Sequence, residues 1–231
     1  MEPAVAVRWA HAGADPRSRA RDLLRSVAAE VCAARSADVV IGRAATGRPE
    51  LSGAATGLCA SVSHTRGVVA VAISRPYAEL SGVGVDVEAI RPLDAVTLAE
   101  RWFTPGEASW VRALPSALRT VGLLHLWTRK ESAGKAVGRG LAGGGLRRPV
   151  GSPPPGTFPR TSRRLTPLPG AGELAGTVLP GPPGYVLSCA ARGPDARTAT
   201  ADVTRAGQTR SAPDPHRQRA LRRKGENDAN C

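Results

Sequence analysis

Aromatic residues are scarce. Two Phe, two Tyr and four Trp amount to 3% of 231 residues, so a core has to be assembled from Ala, Val and Leu. So few rings also leave little for stacking on bases. Lysine is scarcer still. Lys130, Lys135 and Lys224 are the only three in a chain with 32 basic residues. The four cysteines, Cys32, Cys59, Cys189 and Cys231, include no C-x-x-C pair. That spacing excludes a thiolate metal site and favours free thiols in a reducing cytoplasm. No apolar run approaches the ~20 residues of a membrane span, and the first residues lack the basic start and apolar core of a signal peptide. A cytoplasmic protein without membrane attachment is expected. The phosphate loop G-x-x-x-x-G-K-[ST] and the nucleophile elbow G-x-S-x-G are both missing. A formal G-x-G-x-x-G at Gly138–Gly143 follows a helical pattern rather than a strand, so it does not meet the dinucleotide fingerprint.

Hydrophobic residues make up 42%, enough for a core. The abundance of Ala, Gly, Pro and Arg reads as the bias of a G- and C-rich coding sequence. A formal charge of +13 favours acidic partners, among them nucleic acid, an anionic surface, a polyphosphate or an acidic protein. Charge alone does not choose among them, and much of the excess lies after Gly143.

Periodicity predicts strands at Val5–Trp9, Val39–Ile41, Leu58–Val62, Gly67–Ser74, Gly82–Val87 and Tyr185–Ala190. Helices are expected at Arg17–Ala34, introduced by Asp15-Pro16, and at Ala95–Trp102, Pro105–Ala113 and Leu118–Gly138. Breakers dominate from Gly143 to Gly184, and the polar, Arg-rich stretch after Arg192 is expected to be disordered.

Three segments carry candidate chemistry. In Gly84-Val85-Asp86-Val87-Glu88 the two carboxylates are two apart on a strand and project from one face. Such a pair repels unless a cation sits between them, and a hard, oxygen-seeking ion such as Mg²⁺ fits; the alternative is an exposed acidic strand end. In Trp127–Lys135, residues Trp127, Glu131 and Lys135 share a helix face, as a surface Glu–Lys pair also would. Two of the three lysines fall here, which suggests that a compact ammonium is wanted. Ser63-His64-Thr65 closes an apolar strand as a polar turn able to face a phosphate.

In this order, the segments resemble the Sfp-type 4′-phosphopantetheinyl transferases. The resemblance rests on Gly47-Arg48-Pro49-Glu50-Leu51, Ala60–Thr65, Gly84–Glu88, Phe103–Glu107 and Trp127–Leu141. It implies an α+β, pseudo-dimeric fold of two similar subdomains, each packing a helix on an antiparallel sheet, with coenzyme A in the cleft between them. The expected divisions are residues 1–92, 93–192 and a disordered basic tail, 193–231. It implies Mg²⁺ held by Asp86, Glu88 and Glu131, a diphosphate neutralised by Lys135, and phosphates held by Arg48, Ser63 and His64, with Arg43 assisting. A carrier-protein serine would attack the β-phosphorus and release 3′,5′-ADP. Glu131 or a metal-bound water would act as base, with Glu107 a further candidate for base or for support of the metal ligands. The implied partners are coenzyme A and an acyl or peptidyl carrier protein of fatty-acid, polyketide or nonribosomal-peptide synthesis, and a monomer acting without nucleic acid or membrane. Two rivals are a basic nucleic-acid-binding protein, and a family member that binds coenzyme A without turnover.

Overall fold

The computed structural model describes residues 2–142, 145–154 and 157–207. Its element order is β1 (Val5–His11), α1 (Pro16–Cys32), β2 (Val39–Arg43), β3 (Pro49–Gly53), β4 (Ala60–Thr65), β5 (Val68–Ser74), β6 (Gly82–Ala89), α2 (Ala95–Trp102), α3 (Pro105–Ala113), α4 (Ser116–Ala136), β7 (Thr166–Pro167), β8 (Leu174–Leu179), β9 (Tyr185–Arg192) and β10 (Ala201–Arg205). The architecture is mixed α+β. One four-stranded sheet runs β10-β1-β5-β4, a second runs β6-β9-β8-β7, and β2 and β3 form a separate hairpin.

Local chemistry accounts for the boundaries. The Asp15 carboxylate accepts the Arg17 and Ser18 amides at the start of α1, with Pro16 in the first turn, where its missing N–H costs nothing. Thr104 and Glu107 close a reciprocal capping box on α3. The β5 run is buried at every position because both its faces are covered. Ala6, Val69, Val71 and Ile73 pack with Leu23, Leu24 and Val27 of α1. The other face of the sheet, with Val5, Val7, Ala70 and Ala72, shares a core with Val83, Val85 and Val87 of β6 and Leu187 and Cys189 of β9. Beyond the second sheet, Ala190 and Leu174 pack with Leu123, Leu126, Ala133 and Ala136 of α4 and with Phe103. The order of layers is helix, sheet, sheet, helices.

The structure corrects three expectations. Ser63-His64-Thr65 is the end of strand β4 rather than a turn. The stretch after Arg192 is built into the fold as far as residue 207. β10 pairs in parallel with β1, in register Val5↔Ala201 to Trp9↔Arg205, so the first sheet is not wholly antiparallel. Buried Asp202 on β10 draws Arg8 (3.2 Å), Arg75 (3.8 Å) and Arg163 (3.9 Å) around it, which explains why so polar a segment still folds in. Residues 208–231, with Lys224 and Cys231, lie outside the described residues. Third, β6 falls before the expected division at residue 92, yet its backbone partner is β9 of the second sheet, from Gly82↔Arg192 to Ala89↔Tyr185. Among the described residues no helix is long and apolar enough to cross a membrane.

Candidate functional site

β6 and α4 build the centre of the site. Val83, Val85 and Val87 point into the shared core. The alternate positions Gly82, Gly84, Asp86 and Glu88 lie on the opposite face. The two glycines let α4 lie directly on the strand. A Cβ on Gly82 or Gly84 would run into the α4 backbone at Ala136 or at Ser132 and Ala136. Beside these contacts the helix brings Lys135 onto Asp86, and Glu131 near enough to Asp86 and Glu88 to feel their charge. Thr128 and Ser188 hydroxyls, 2.6 Å apart and buried, pin the same helix to β9.

The geometry around Asp86 is asymmetric. Its Oδ1 accepts Lys135 Nζ (2.7 Å) and the Ser63 hydroxyl (2.8 Å), and Lys135 Nζ also donates to the Val85 carbonyl (3.0 Å). Its Oδ2 is buried, with no hydrogen-bond partner among the described residues. Burial, and then the negative charge of Asp86, raise the pKa values of both Glu88 and Glu131 above the ordinary carboxylate range. The expected metal ligands are therefore brought into one mutually repelling group. Among the described residues, no three acidic, imidazole or thiol side chains are gathered closely enough to hold a metal ion by themselves. The donor set nevertheless suits Mg²⁺, which is usually held by one or two carboxylates and completed by phosphate oxygens and water. An orphaned carboxylate oxygen beside two carboxyls reluctant to ionise is what a cation would relieve.

β4 supplies the opposite wall. It shares no backbone ladder with β6. Hydroxyls from alternate residues join the two strands instead. Ser61 Oγ accepts the Val85 amide (3.1 Å), Ser63 Oγ accepts the Val87 amide (3.4 Å), and Thr65 Oγ1 donates to Glu88 (3.4 Å). Ser63, expected to hold phosphate, is thus buried and committed to β6. Its neighbour His64 points the other way and is exposed. It lines a cleft of about 980 Å³ with Arg43, Arg17, Ser18 and Arg21. Arg17 and Arg21 went unnoticed in the sequence. The available signal was their i, i+4 spacing on the first turns of α1, lost among many arginines. Arg48 stands with Lys135 and Arg139 around an adjoining cleft of about 270 Å³. Its guanidinium passes within 3.0 Å of where a side chain on Gly138 would begin, and Gly138 has φ +76°, a conformation suited to glycine.

Glu107 corrects an expectation. Its Oε2 accepts the Lys130 ammonium (2.6 Å), the Thr104 hydroxyl (2.8 Å) and the Thr104 amide (3.2 Å), while Oε1 accepts the Val150 amide (3.0 Å). A carboxylate so fully occupied is structural, not a base. Lys130 is fully buried beneath it, donates also to the Arg148 carbonyl (2.6 Å), and lies 4.9 Å from the Phe103 ring centre. One of the two neighbouring lysines is therefore an internal brace and the other faces the site.

Comparison with known proteins agrees with this arrangement. Residues 82–154, which hold β6 and α4, match the 4′-phosphopantetheinyl transferase superfamily. The chain is 31% identical over 125 residues to the 4′-phosphopantetheinyl transferase HetI of Nostoc sp., covering 53% of this chain and 51% of that protein. It is 31% identical over 121 residues to a 4′-phosphopantetheinyl transferase of Bacillus subtilis, covering 52% and 50%. The chain thus spans about half the length of these curated relatives.

Proposed function

We propose, for a chain that belongs to the 4′-phosphopantetheinyl transferase superfamily, that it transfers the 4′-phosphopantetheine arm of coenzyme A to a serine of an acyl or peptidyl carrier protein. The observation that carries the reading is the Asp86, Glu88, Glu131 and Lys135 constellation, set between two clefts lined with arginine. Asp86, Glu88 and Glu131 would hold Mg²⁺, which supplies positive charge at the diphosphate when bound. Lys135 gives a compact ammonium at the same place, already drawn onto Asp86. Arg17, Arg21, Arg43 and His64 offer cationic and hydrogen-bonding groups for the terminal phosphate, and Arg48 and Arg139 line the approach to Lys135. Glu131, or a water on the metal, would take the proton of the incoming serine. The rest of the rate comes from holding two substrates in line.

The test is transfer of the arm to an apo carrier protein with and without chelation. EDTA should abolish transfer and added Mg²⁺ or Mn²⁺ should restore it. Asp86→Ala should lose at least ~100-fold in kcat, a few kcal/mol of lost charge stabilisation. Full activity in EDTA would remove the metal from the account.

A further inference from the structure

Ser63 sits where β4 meets β6, yet its side chain opens into neither arginine-lined cleft. It is buried, and its oxygen already accepts the Val87 amide at 3.4 Å. A hydroxyl has one proton and two lone pairs. With the amide directed at the oxygen, the proton turns to the other neighbour, Asp86 Oδ1, at 2.8 Å. Lys135 approaches the same Oδ1 at 2.7 Å, so both donors gather on one carboxylate oxygen and Oδ2 keeps its lone pairs. Ser61 makes the matching bond one strand repeat earlier, its oxygen accepting the Val85 amide at 3.1 Å.

We propose that Ser63 is a positioning residue: it fixes the Asp86 carboxylate with one oxygen anchored and the other presented to the cation, and it does not hold phosphate. This rests on the reading of Asp86 as a metal ligand. Groups hydrogen-bonded to metal ligands typically contribute ~10–100-fold in metal affinity.

The experiment measures two affinities by titration calorimetry: Mn²⁺ for the protein saturated with coenzyme A, and coenzyme A for the protein in EDTA. Ser63→Ala should weaken Mn²⁺ by ~10-fold or more and leave coenzyme A binding in EDTA unchanged. Ser63→Thr, which keeps the hydroxyl, should recover Mn²⁺ affinity. Ser61→Ala removes an equivalent bond to β6 without touching a carboxylate, and should leave Mn²⁺ affinity near wild type. Loss of coenzyme A affinity in EDTA by Ser63→Ala, with Mn²⁺ unaffected, would make Ser63 a phosphate contact and overturn the proposal. Equal losses of Mn²⁺ affinity in Ser61→Ala and Ser63→Ala would overturn it in favour of general loosening of the seam. A wild-type protein that binds coenzyme A but no Mn²⁺ would overturn the metal reading itself, together with the role of Ser63.

Discussion

Replacing Gly84 with alanine tests whether close contact between α4 and β6 assembles the site. A Cβ there would lie 2.7 Å from the Ala136 nitrogen and closer still to the Ser132 carbonyl oxygen. Ordinary contact begins at 3.4 Å, so the Ala136 nitrogen alone demands a withdrawal of about 0.7 Å and the Ser132 oxygen demands more, and these are backbone atoms that cannot rotate aside. Overpacking of this kind costs ~1–3 kcal/mol. The same withdrawal carries Glu131 and Lys135 away from Asp86, and displacements near 1 Å can cost ~100-fold in rate. Gly84→Ala should therefore lower the urea midpoint and reduce transfer by one to two orders of magnitude, although Gly84 touches no substrate. Gly106 is the control. It lies inside α3 with nothing within 4 Å of an added Cβ, so Gly106→Ala should be neutral or stabilising by ~0.5–1 kcal/mol. Wild-type stability and activity in Gly84→Ala would refute the idea that backbone contact sets the geometry.

The raised pKa values of Glu88 and Glu131 predict opposite pH responses with and without metal. Both groups resist ionisation when folded, so the metal-free protein should lose stability as pH rises from the ordinary carboxylate value through the raised one; metal affinity should instead fall as pH drops through that window. Melting temperatures in EDTA and in Mg²⁺ across that range check both signs, and Glu131→Gln should flatten the EDTA profile. Deleting residues 193–231 should unfold the protein, because it removes β10 and Asp202; a folded, active 1–192 fragment would contradict the role given to β10. Lys130→Met should destabilise by ~3–5 kcal/mol through the unpaired Glu107 it leaves behind. Lys135→Ala should instead reduce transfer and coenzyme A affinity with a smaller stability change, and Lys135→Arg should recover part of the loss, because a planar fork replaces a compact ammonium.

Apart from β3, the helix and strand order from β1 to α4 was legible because apolar periodicity and capping residues act locally. Asp15-Pro16, Thr104 with Glu107, and the unbroken Val68–Ile73 run each carry their own explanation. Asp86, Glu88, Glu131 and Lys135 could be singled out because two short spacings, i, i+2 on a strand and i, i+4 on a helix, place each pair on one face. What lay hidden depends on distant partners. The seam of Ser61, Ser63 and Thr65 alternates visibly, but nothing local says that β6 will lie beneath it. β8 lies between breakers in a proline- and glycine-rich stretch, and its pairing with β9 decides its conformation. β10 looks unstructured by composition because its anchor, Asp202, is balanced by arginines far away in sequence. Glu107 and Lys130 misled in the same way: a Glu at the end of the Phe103–Glu107 segment and a rare Lys look functional until each is seen to satisfy the other in the core.

The central claim is that this chain moves a phosphopantetheine arm using the carboxylate group on β6 and α4. Intact-mass spectrometry of an apo carrier protein, incubated with the full chain, coenzyme A and Mg²⁺, tests it most directly. The account predicts a gain of one phosphopantetheine on the carrier serine, absent with EDTA and nearly absent with Asp86→Ala. A panel of apo acyl and peptidyl carrier proteins that all stay unmodified by the folded, coenzyme A-binding wild-type chain, while an active transferase converts them, would contradict it.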